Sequence, residues 1–172
     1  HGTDIIITGE MGIGNTTTSA AISAVILDMP PENVTGRGAG IDIDGMSRKI
    51  SVIDRAIKLN KPDKSDPFDL ISKLGGFDIA GMVGLFLGGA RFGIPVVIDG
   101  VISAVSACLA EMIEPGCRDF MLPSHVSNEP AARLLLERLG LKAPINAGLH
   151  LGEGTGGVML LPLLDGALAV YN

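Results

Sequence analysis

Short unbroken hydrophobic runs alternate along the chain with longer segments of mixed polarity. The runs at residues 4–8, 94–98 and 119–122 are typical of buried strands. The segments predicted as helices are 16–28, 47–60, 66–75, 78–91, 102–112, 129–139 and the stretch after residue 157. Strands that alternate with helices indicate parallel βαβ units. The sequence therefore predicts an α/β fold, a doubly wound (Rossmann-like) parallel sheet with helices on both faces, in a single domain over residues 1–172.

The clearest helical pattern covers residues 47–60. Ile50, Ile53 and Ile57 recur with a period of about 3.6 residues, and charged residues occupy the other positions. The chain before this helix is different, because Pro30 and Pro31 end the preceding helix and residues 33–40 are rich in glycine. We expect residues 33–40 to be extended.

Composition tests whether the chain could lie in a membrane. Hydrophobic residues make up 47% of the chain and the mean hydropathy is +0.42. The most apolar stretch, residues 79–105, is interrupted by Arg91, Pro95 and Asp99. No run reaches the roughly 18–20 apolar residues that a membrane helix needs. We expect a soluble protein with a sheet buried on both faces or a broad subunit interface.

Charge and cysteine content argue against a nucleic-acid-binding protein and against a cysteine metal site. The net charge is −6, the basic residues are scattered, and aromatic residues make up only 3% of the chain, so a nucleic-acid surface is not expected. Cys108 and Cys117 lack the spacing of a metal site, and we interpret them as reduced thiols in a cytoplasmic protein. The chain starts at His1 and enters a strand almost at once, which suggests that an N-terminal portion is missing.

The first candidate site is the loop GEMGIGNTTT, residues 9–18, between a predicted strand and a predicted helix. Its spacing matches the P-loop pattern, but Asn15 stands where the P-loop has lysine. Because that lysine reaches the terminal phosphates, its replacement argues against ATP or GTP hydrolysis. The remaining free N–H groups and hydroxyls favour an anion. The alternative is a tight turn with a threonine-rich cap.

A second glycine-rich segment, GRGAGID, covers residues 36–42. Alternating glycines allow backbone N–H groups to converge on an anion. Arg48 and Lys49 follow in the next helix, where a lysine could supply a point charge to a phosphate. The alternatives are a flexible connector and a solvated helix face.

Polar residues also follow the second and third predicted strands. Asp99 and Gly100 end one strand, so Asp99 is either a ligand group or a helix cap. The loop SHVSNEP, residues 124–130, is either a donor-rich ligand loop or a turn before a helix. A catalytic triad of Ser124, His125 and Asp99 is disfavoured, because adjacent serine and histidine seldom aim at each other and the chain lacks a Gly-x-Ser-x-Gly elbow.

Glu153 is the strongest catalytic candidate from residue chemistry. It lies between glycines in LGEGTGG, residues 151–157, so backbone and ligand can both approach its carboxylate. The alternative is a glutamate at a helix start that interacts favourably with the helix dipole.

Together these motifs resemble the nicotinate-nucleotide–dimethylbenzimidazole phosphoribosyltransferase family. The matching stretches are GEMGIGNTTTSAAI, GRGAGID with the following RK, GGFDIAGMVGLFLGGA, PVVIDG, LPSHVSNEP and LGEGTGG with PLLDGA. They occur in the family's order, cover essentially the whole chain, and correspond to about the C-terminal half of the family's length. The combination is highly specific, although each glycine motif alone is weak.

The resemblance implies a homodimer with a doubly wound α/β domain that transfers phosphoribose from nicotinate mononucleotide to 5,6-dimethylbenzimidazole. It implies that Glu153 is the catalytic base and that Lys49 holds the phosphate. Part of the family's benzimidazole pocket comes from the N-terminal half. No cofactor and no metal are implied. The residues expected to bind substrate are Glu10, Gly12, Gly14, Gly38, Lys49, Gly100, Ser127, Asn128 and Gly152.

Two other functions remain open from the sequence. One is a non-catalytic nucleotide-binding or regulatory domain, and the other is a degenerate P-loop NTPase, against which Asn15 argues. The residues present fit the chemistry of the phosphoribosyltransferase hypothesis. One nitrogen of a benzimidazole attacks the ribose C1′ while a carboxylate takes the proton from the other.

Overall fold

The structure is a computed structural model that describes residues 2–38 and 40–171. Ala39, within the second glycine motif, lies outside the described residues. Strands and helices alternate as the sequence predicts. The elements are β1 (Ile6–Ile7), α1 (Asn15–Leu27), α2 (Pro31–Val34), α3 (Ile43–Asn60), α4 (Pro67–Leu74), α5 (Phe77–Phe92), β2 (Val96–Ile98), α6 (Gly100–Ile113), a 3₁₀ turn (Cys117–Phe120), β3 (Met121–Pro123), α7 (Pro130–Leu139) and α8 (Thr155–Tyr171).

The strands form one parallel sheet in the order β1-β2-β3. Ile6 pairs with Val96, and Val96 pairs with Met121. The predicted α/β class with a parallel sheet is confirmed. Among the described strands the order follows the sequence without reversal. All three strands run the same way, so the loops that follow them meet at one edge of the sheet.

Helices cover both faces of this sheet, as predicted. Side chains alternate between faces along a strand, so Val96 and Val97 point in opposite directions. Val96 faces the main core, where α5 approaches so closely that a Cβ on Gly89 would lie 2.3 Å from Val96 Cγ2. On the other face, a Cβ on Gly157 in α8 would lie 2.3 Å from Ile7 Cγ2.

The region around α2 and α3 differs most from the sequence prediction. Helix α3 begins at Ile43 rather than at residue 47, because the Asp42 side chain accepts a hydrogen bond from Gly45 N at 2.7 Å and caps the first turn. Residues Pro31–Val34 form the short helix α2, where an extended chain was expected from residue 33. Proline is favourable at a first helical position, so Pro31 starts a helix instead of only ending one.

The core is continuous and apolar. Phe86, Ile22 and Leu109 are among its largest fully buried side chains. Cys108 and Cys117 are free and buried, and burial raises the pKa of the Cys108 thiol to about 12 and that of the Cys117 thiol to about 11. Within residues 2–38 and 40–171, no helix is both long and apolar enough to cross a membrane.

Candidate active site

A cleft of about 480 Å³ lies at the edge of the sheet where the strand-end loops meet. This volume is in the range of small-molecule sites. Most of the predicted site residues line it, and the three exceptions are close neighbours of the lining. Those that line the cleft are Glu10, Gly12, Gly38, Gly100, Ser127, Gly152 and Glu153. Those outside the lining are Gly14, Lys49 and Asn128.

The first and last glycine motifs pack backbone against backbone. A Cβ on Gly9 would lie 2.7 Å from Gly154 N and 2.9 Å from the carbonyl carbon of Glu153. Because any side chain at residue 9 would push this backbone away, the close approach requires glycine there. The 9–15 loop therefore lies directly against the turn that carries Glu153.

The loop after β3 is held from the other side. His125 pairs with Ile145 in an isolated parallel bridge, and Asn128 N donates a hydrogen bond to Leu149 O at 3.0 Å. Asn128 is thus a backbone anchor at the rim, and its side chain is exposed. These pairings place the 148–153 segment beside the 124–128 loop.

Asn15 occupies the position of the P-loop lysine and links two carboxylates. Its Nδ2 donates hydrogen bonds to Glu10 Oε2 and, at 3.0 Å, to Asp78 Oδ2. A neutral amide between two acids gives this loop negative charge where a nucleoside triphosphatase needs a cation. Asp78 was not predicted as a site residue, since it lies 63 positions from Asn15 and in the first turn of α5.

The surroundings of Glu10 disfavour the ionised form of its carboxyl group. Partial burial raises the pKa of its carboxyl above 4.5, and the nearby acids Asp78, Asp99 and Glu153 raise it further. The hydrogen bond from Asn15 opposes this rise. The folded state therefore holds the Glu10 proton more tightly than the unfolded chain does.

This raised pKa predicts a pH-dependent effect of Glu10→Gln. Ionisation of Glu10 costs stability as the pH rises from 4.5 through its folded pKa, and glutamine cannot ionise. The variant should melt at a higher temperature than the parent at pH 7.5, and the difference should disappear near pH 4. Thermal melts at both pH values measure it, with the exposed Glu137→Gln as the control. A lower melting temperature for Glu10→Gln at pH 7.5 would contradict the assignment.

Lys49 ties the two glycine motifs together. Its Nζ donates hydrogen bonds to Thr16 Oγ1 and to Gly36 O, both at 2.9 Å. Burial lowers the pKa of this ammonium group, and the charge of Glu129 raises it. Thr16 and Gly38 line the cleft, and Lys49 stands behind them. The lysine thus brings positive charge to the wall of the cleft rather than into the open space.

Glu129 is a cleft residue that the sequence prediction missed. Its Oε1 accepts a hydrogen bond from Gly38 N at 3.2 Å, and a Cβ on Gly36 would lie 1.7 Å from its Oε2. The amide of Gly38, one of those expected to bind an anion, thus already donates to a carboxylate. Glu129 precedes a proline at a helix start, so its local sequence resembles an ordinary turn.

Asp99 caps a helix, but not the helix that it precedes. Its carboxylate turns away from the start of α6 and accepts hydrogen bonds from Gly154 N at 2.7 Å, Gly156 N at 2.8 Å and Gly157 N at 3.2 Å. The side chain is fully buried, although the residue contributes to the lining of the cleft. Asp99 therefore caps the start of α8 from another loop.

Ser124 and His125 do touch, but in an arrangement that rules out a triad. Ser124 is fully buried and its Oγ donates to Ile98 O at 2.7 Å. Since that proton is committed, Ser124 Oγ accepts from His125 Nδ1 at 2.9 Å, and this pairing assigns the His125 proton to Nδ1. Burial lowers the pKa of His125, although Asp99 opposes the shift. A buried serine with its hydroxyl proton directed at a carbonyl cannot act as a nucleophile.

Glu153 lies at the centre of an unusual turn. Gly152, Glu153 and Gly154 have φ angles of 77°, 58° and 81°, so three consecutive residues are left-handed. This conformation costs a non-glycine residue roughly 1–2 kcal/mol. Glu153 is exposed at the cleft, so its side chain is accessible to a ligand.

Acidic side chains line much of the cleft. Across residues 2–38 and 40–171, no group of three or more histidine, cysteine, aspartate or glutamate side chains is arranged to hold a metal ion. Its chemical resources are the carboxylates of Glu10, Glu129 and Glu153, the start of α1 and the glycine-rich backbone.

Comparison with known sequences places the chain in one family. A family model described as "Phosphoribosyltransferase" matches residues 1–172. A protein of Acetivibrio thermocellus named nicotinate-nucleotide–dimethylbenzimidazole phosphoribosyltransferase is 48% identical over 171 residues, which are 99% of this chain and 49% of that protein. A protein of Escherichia coli with the same name is 41% identical over 172 residues, 100% of this chain and 48% of that protein.

Comparison with solved structures agrees. The crystal structure of CobT from Thermus thermophilus superposes with a TM-score of 0.91 at 40% identity, over 96% of this chain and 50% of that one. The chain spans about half the length of the curated relatives it matches. The sequence match over all 172 residues and the agreement in fold lead to one conclusion: this chain belongs to the phosphoribosyltransferase family that includes the nicotinate-nucleotide–dimethylbenzimidazole phosphoribosyltransferases.

Proposed function

We propose that the protein transfers phosphoribose from nicotinate mononucleotide to 5,6-dimethylbenzimidazole, giving α-ribazole 5′-phosphate and nicotinate, with Glu153 as the general base. The observation that carries the proposal is the position of Glu153. It is an exposed carboxylate on a left-handed turn, at a cleft of about 480 Å³ that the first turn of α1 also lines. The relatives' names supply the substrates.

The proposed reaction needs one proton acceptor. A ring nitrogen of the benzimidazole attacks C1′ of the ribose as the bond from C1′ to the nicotinate nitrogen breaks. The electron pair of that bond leaves with nicotinate, whose ring nitrogen becomes neutral. The second benzimidazole nitrogen carries a proton that becomes acidic as positive charge develops on the ring, and Glu153 accepts it. Attack opposite the leaving group inverts C1′, so a β-nucleotide becomes an α-nucleotide.

We place the phosphate at the start of α1, beside Gly38. In the described part of the chain no side chain caps α1, and Thr17 N donates to Gly14 O at 2.9 Å, which leaves the amides of Asn15 and Thr16 for an anion. Asp99 already satisfies the first amides of α8, which makes that helix start a poor competitor. Lys49, bonded to Thr16 in the first turn of α1, adds a positive charge behind the site.

Lys49→Ala should therefore raise the KM for nicotinate mononucleotide. Loss of a charged hydrogen-bonding group costs about 1.5–3 kcal/mol, so a rise of about tenfold or more is expected, with a smaller change in kcat. Steady-state kinetics measure it. The control is Lys58→Ala, which removes an exposed lysine of the same helix that pairs with Asp54. An unchanged KM for Lys49→Ala would remove Lys49 from the phosphate site.

Release of nicotinate tests the function itself. The protein is incubated with nicotinate mononucleotide, with and without 5,6-dimethylbenzimidazole, and free nicotinate is quantified by chromatography. Release that depends on the benzimidazole supports the proposal. Calorimetric binding of the nucleotide without release would favour the alternative, a non-catalytic nucleotide-binding domain. Absence of both would overturn the nucleotide site.

We further propose that the protein is a cytoplasmic homodimer. Phe77 and Phe92 at the two ends of α5 are 99% and 78% exposed, and Gly81 and Gly84 between them have open space above them among the described residues. An exposed apolar helix face of this kind favours contact with a second subunit. The buried free thiols support a reducing compartment. Sedimentation at several concentrations would test for the dimer.

A further inference from the structure

Asp99 is hydrogen-bonded to the Glu153 turn and to the helix that follows it, from a distant part of the sequence. Its two carboxylate oxygens accept three backbone hydrogen bonds, from Gly154, Gly156 and Gly157, across 55 to 58 positions of sequence. Gly154 is the last left-handed residue of the turn, and the other two glycines begin α8. One carboxylate therefore joins the turn to the helix.

The turn needs such an anchor because it is strained. Left-handed backbone is unfavourable for glutamate, and the conformation persists only where the surroundings hold it. Hydrogen bonds to a buried carboxylate are stronger than those between neutral groups. The Asp99 side chain is fully buried, so water does not compete for these bonds.

We propose that Asp99 is a positioning residue that holds the Glu153 turn in its left-handed conformation and so directs the Glu153 carboxylate into the cleft. This inference rests on the proposed role of Glu153. In this proposal Asp99 acts on the turn and not on the substrate. The effect of Asp99 on the rate passes through the backbone of residues 153–154. It can therefore be separated by experiment from a general effect on folding.

Asp99→Asn tests the proposal because it changes two oxygens into one oxygen and one NH₂ group. If the oxygen keeps the bonds from Gly156 and Gly157, the NH₂ group faces Gly154 N–H, donor against donor, at a distance of about 2.7 Å. We expect kcat to fall about tenfold or more, the equivalent of one lost charge-assisted bond, with KM for nicotinate mononucleotide changed less than about twofold. Asp165→Asn, at an exposed position of α8, is the matched control and should keep the parent rate.

A double-variant cycle separates positioning from general damage. If Asp99 acts only through Glu153, then Asp99→Asn should cause no further loss of rate in a Glu153→Gln background. An equal loss in both backgrounds would overturn the proposal, and so would a rise in KM with kcat unchanged.

Amide hydrogen exchange provides a readout that needs neither activity nor a stable variant. In the unaltered protein, the amides of Gly154, Gly156 and Gly157 should exchange far more slowly than that of the exposed Gly148. Exchange at the rate of Gly148 would overturn the proposal. If Glu153→Gln keeps its full rate, the proposed base is wrong, and the exchange data alone then decide whether Asp99 holds the turn.

Discussion

Replacing Glu153 with glutamine is expected to lower kcat for phosphoribosyl transfer by about 10²- to 10⁴-fold, the usual contribution of a positioned general base. Glutamine keeps the length and polarity of the side chain but cannot accept the benzimidazole proton. It also retains a backbone preference close to that of glutamate, so the left-handed turn at φ 58° should persist. Binding of nicotinate mononucleotide should change little, because we place its phosphate at the start of α1.

Three measurements define this result. Nicotinate release gives kcat, calorimetry gives the dissociation constant of the nucleotide, and amide exchange at Gly154 reports whether the turn is intact. Glu137→Gln, on the exposed surface of α7, makes the same chemical change away from the cleft and should keep the parent rate. If Glu153→Gln retained most of its activity, another group would have to take the proton, and Glu10 in the same cleft is a candidate.

The second large effect is expected on stability. Gly156→Ala places a methyl group 2.0 Å from His125 Nδ1 and 2.7 Å from Asp99 Oδ1. Both of these side chains are buried and hydrogen-bonded, so neither can move without breaking contacts. Overpacking of this kind costs about 1–3 kcal/mol, and separation of Asp99 from the α8 amides should add to the loss. The free energy of unfolding in urea measures it.

Gly166→Ala in the same helix provides the opposite result. A Cβ there meets nothing within 4 Å among the described residues, and its backbone is helical. Alanine is the better helix former by about 0.8–1 kcal/mol, so this variant should be unchanged or more stable. If Gly156→Ala were as stable as Gly166→Ala, the close packing of α8 against the Asp99–His125 pair would be refuted.

The local sequence contained the positions of most elements. Apolar runs located β2, and period-3.6 patterns located α3 and α7, because burial of one face imposes these repeats directly on the sequence. Boundaries were less certain where a cap decides them. Asp42 extends α3 back to Ile43, and its capping role depends on a hydrogen bond that the apolar pattern does not register.

The candidate cleft was also largely predictable. Parallel strands bring the loops after their carboxyl ends to one edge, so motifs far apart in sequence were expected to meet. Glu10, Gly38, Ser127 and Glu153 all line one cleft, as that rule requires. Their roles in substrate binding and catalysis stay predictions.

The sequence by itself determined the α/β class, the glycine-rich loops and the exceptional position of Glu153, since each follows from residues adjacent along the chain. Only the tertiary structure decided which polar groups satisfy one another. In the folded protein Asp99 accepts hydrogen bonds from amides of α8, Glu129 accepts one from Gly38 N, and Ser124 donates one to Ile98 O. These partners are separated by 26 to 91 positions. A buried polar group must find a partner, but which one it meets depends on how strands and helices pack, and no local pattern carries that information.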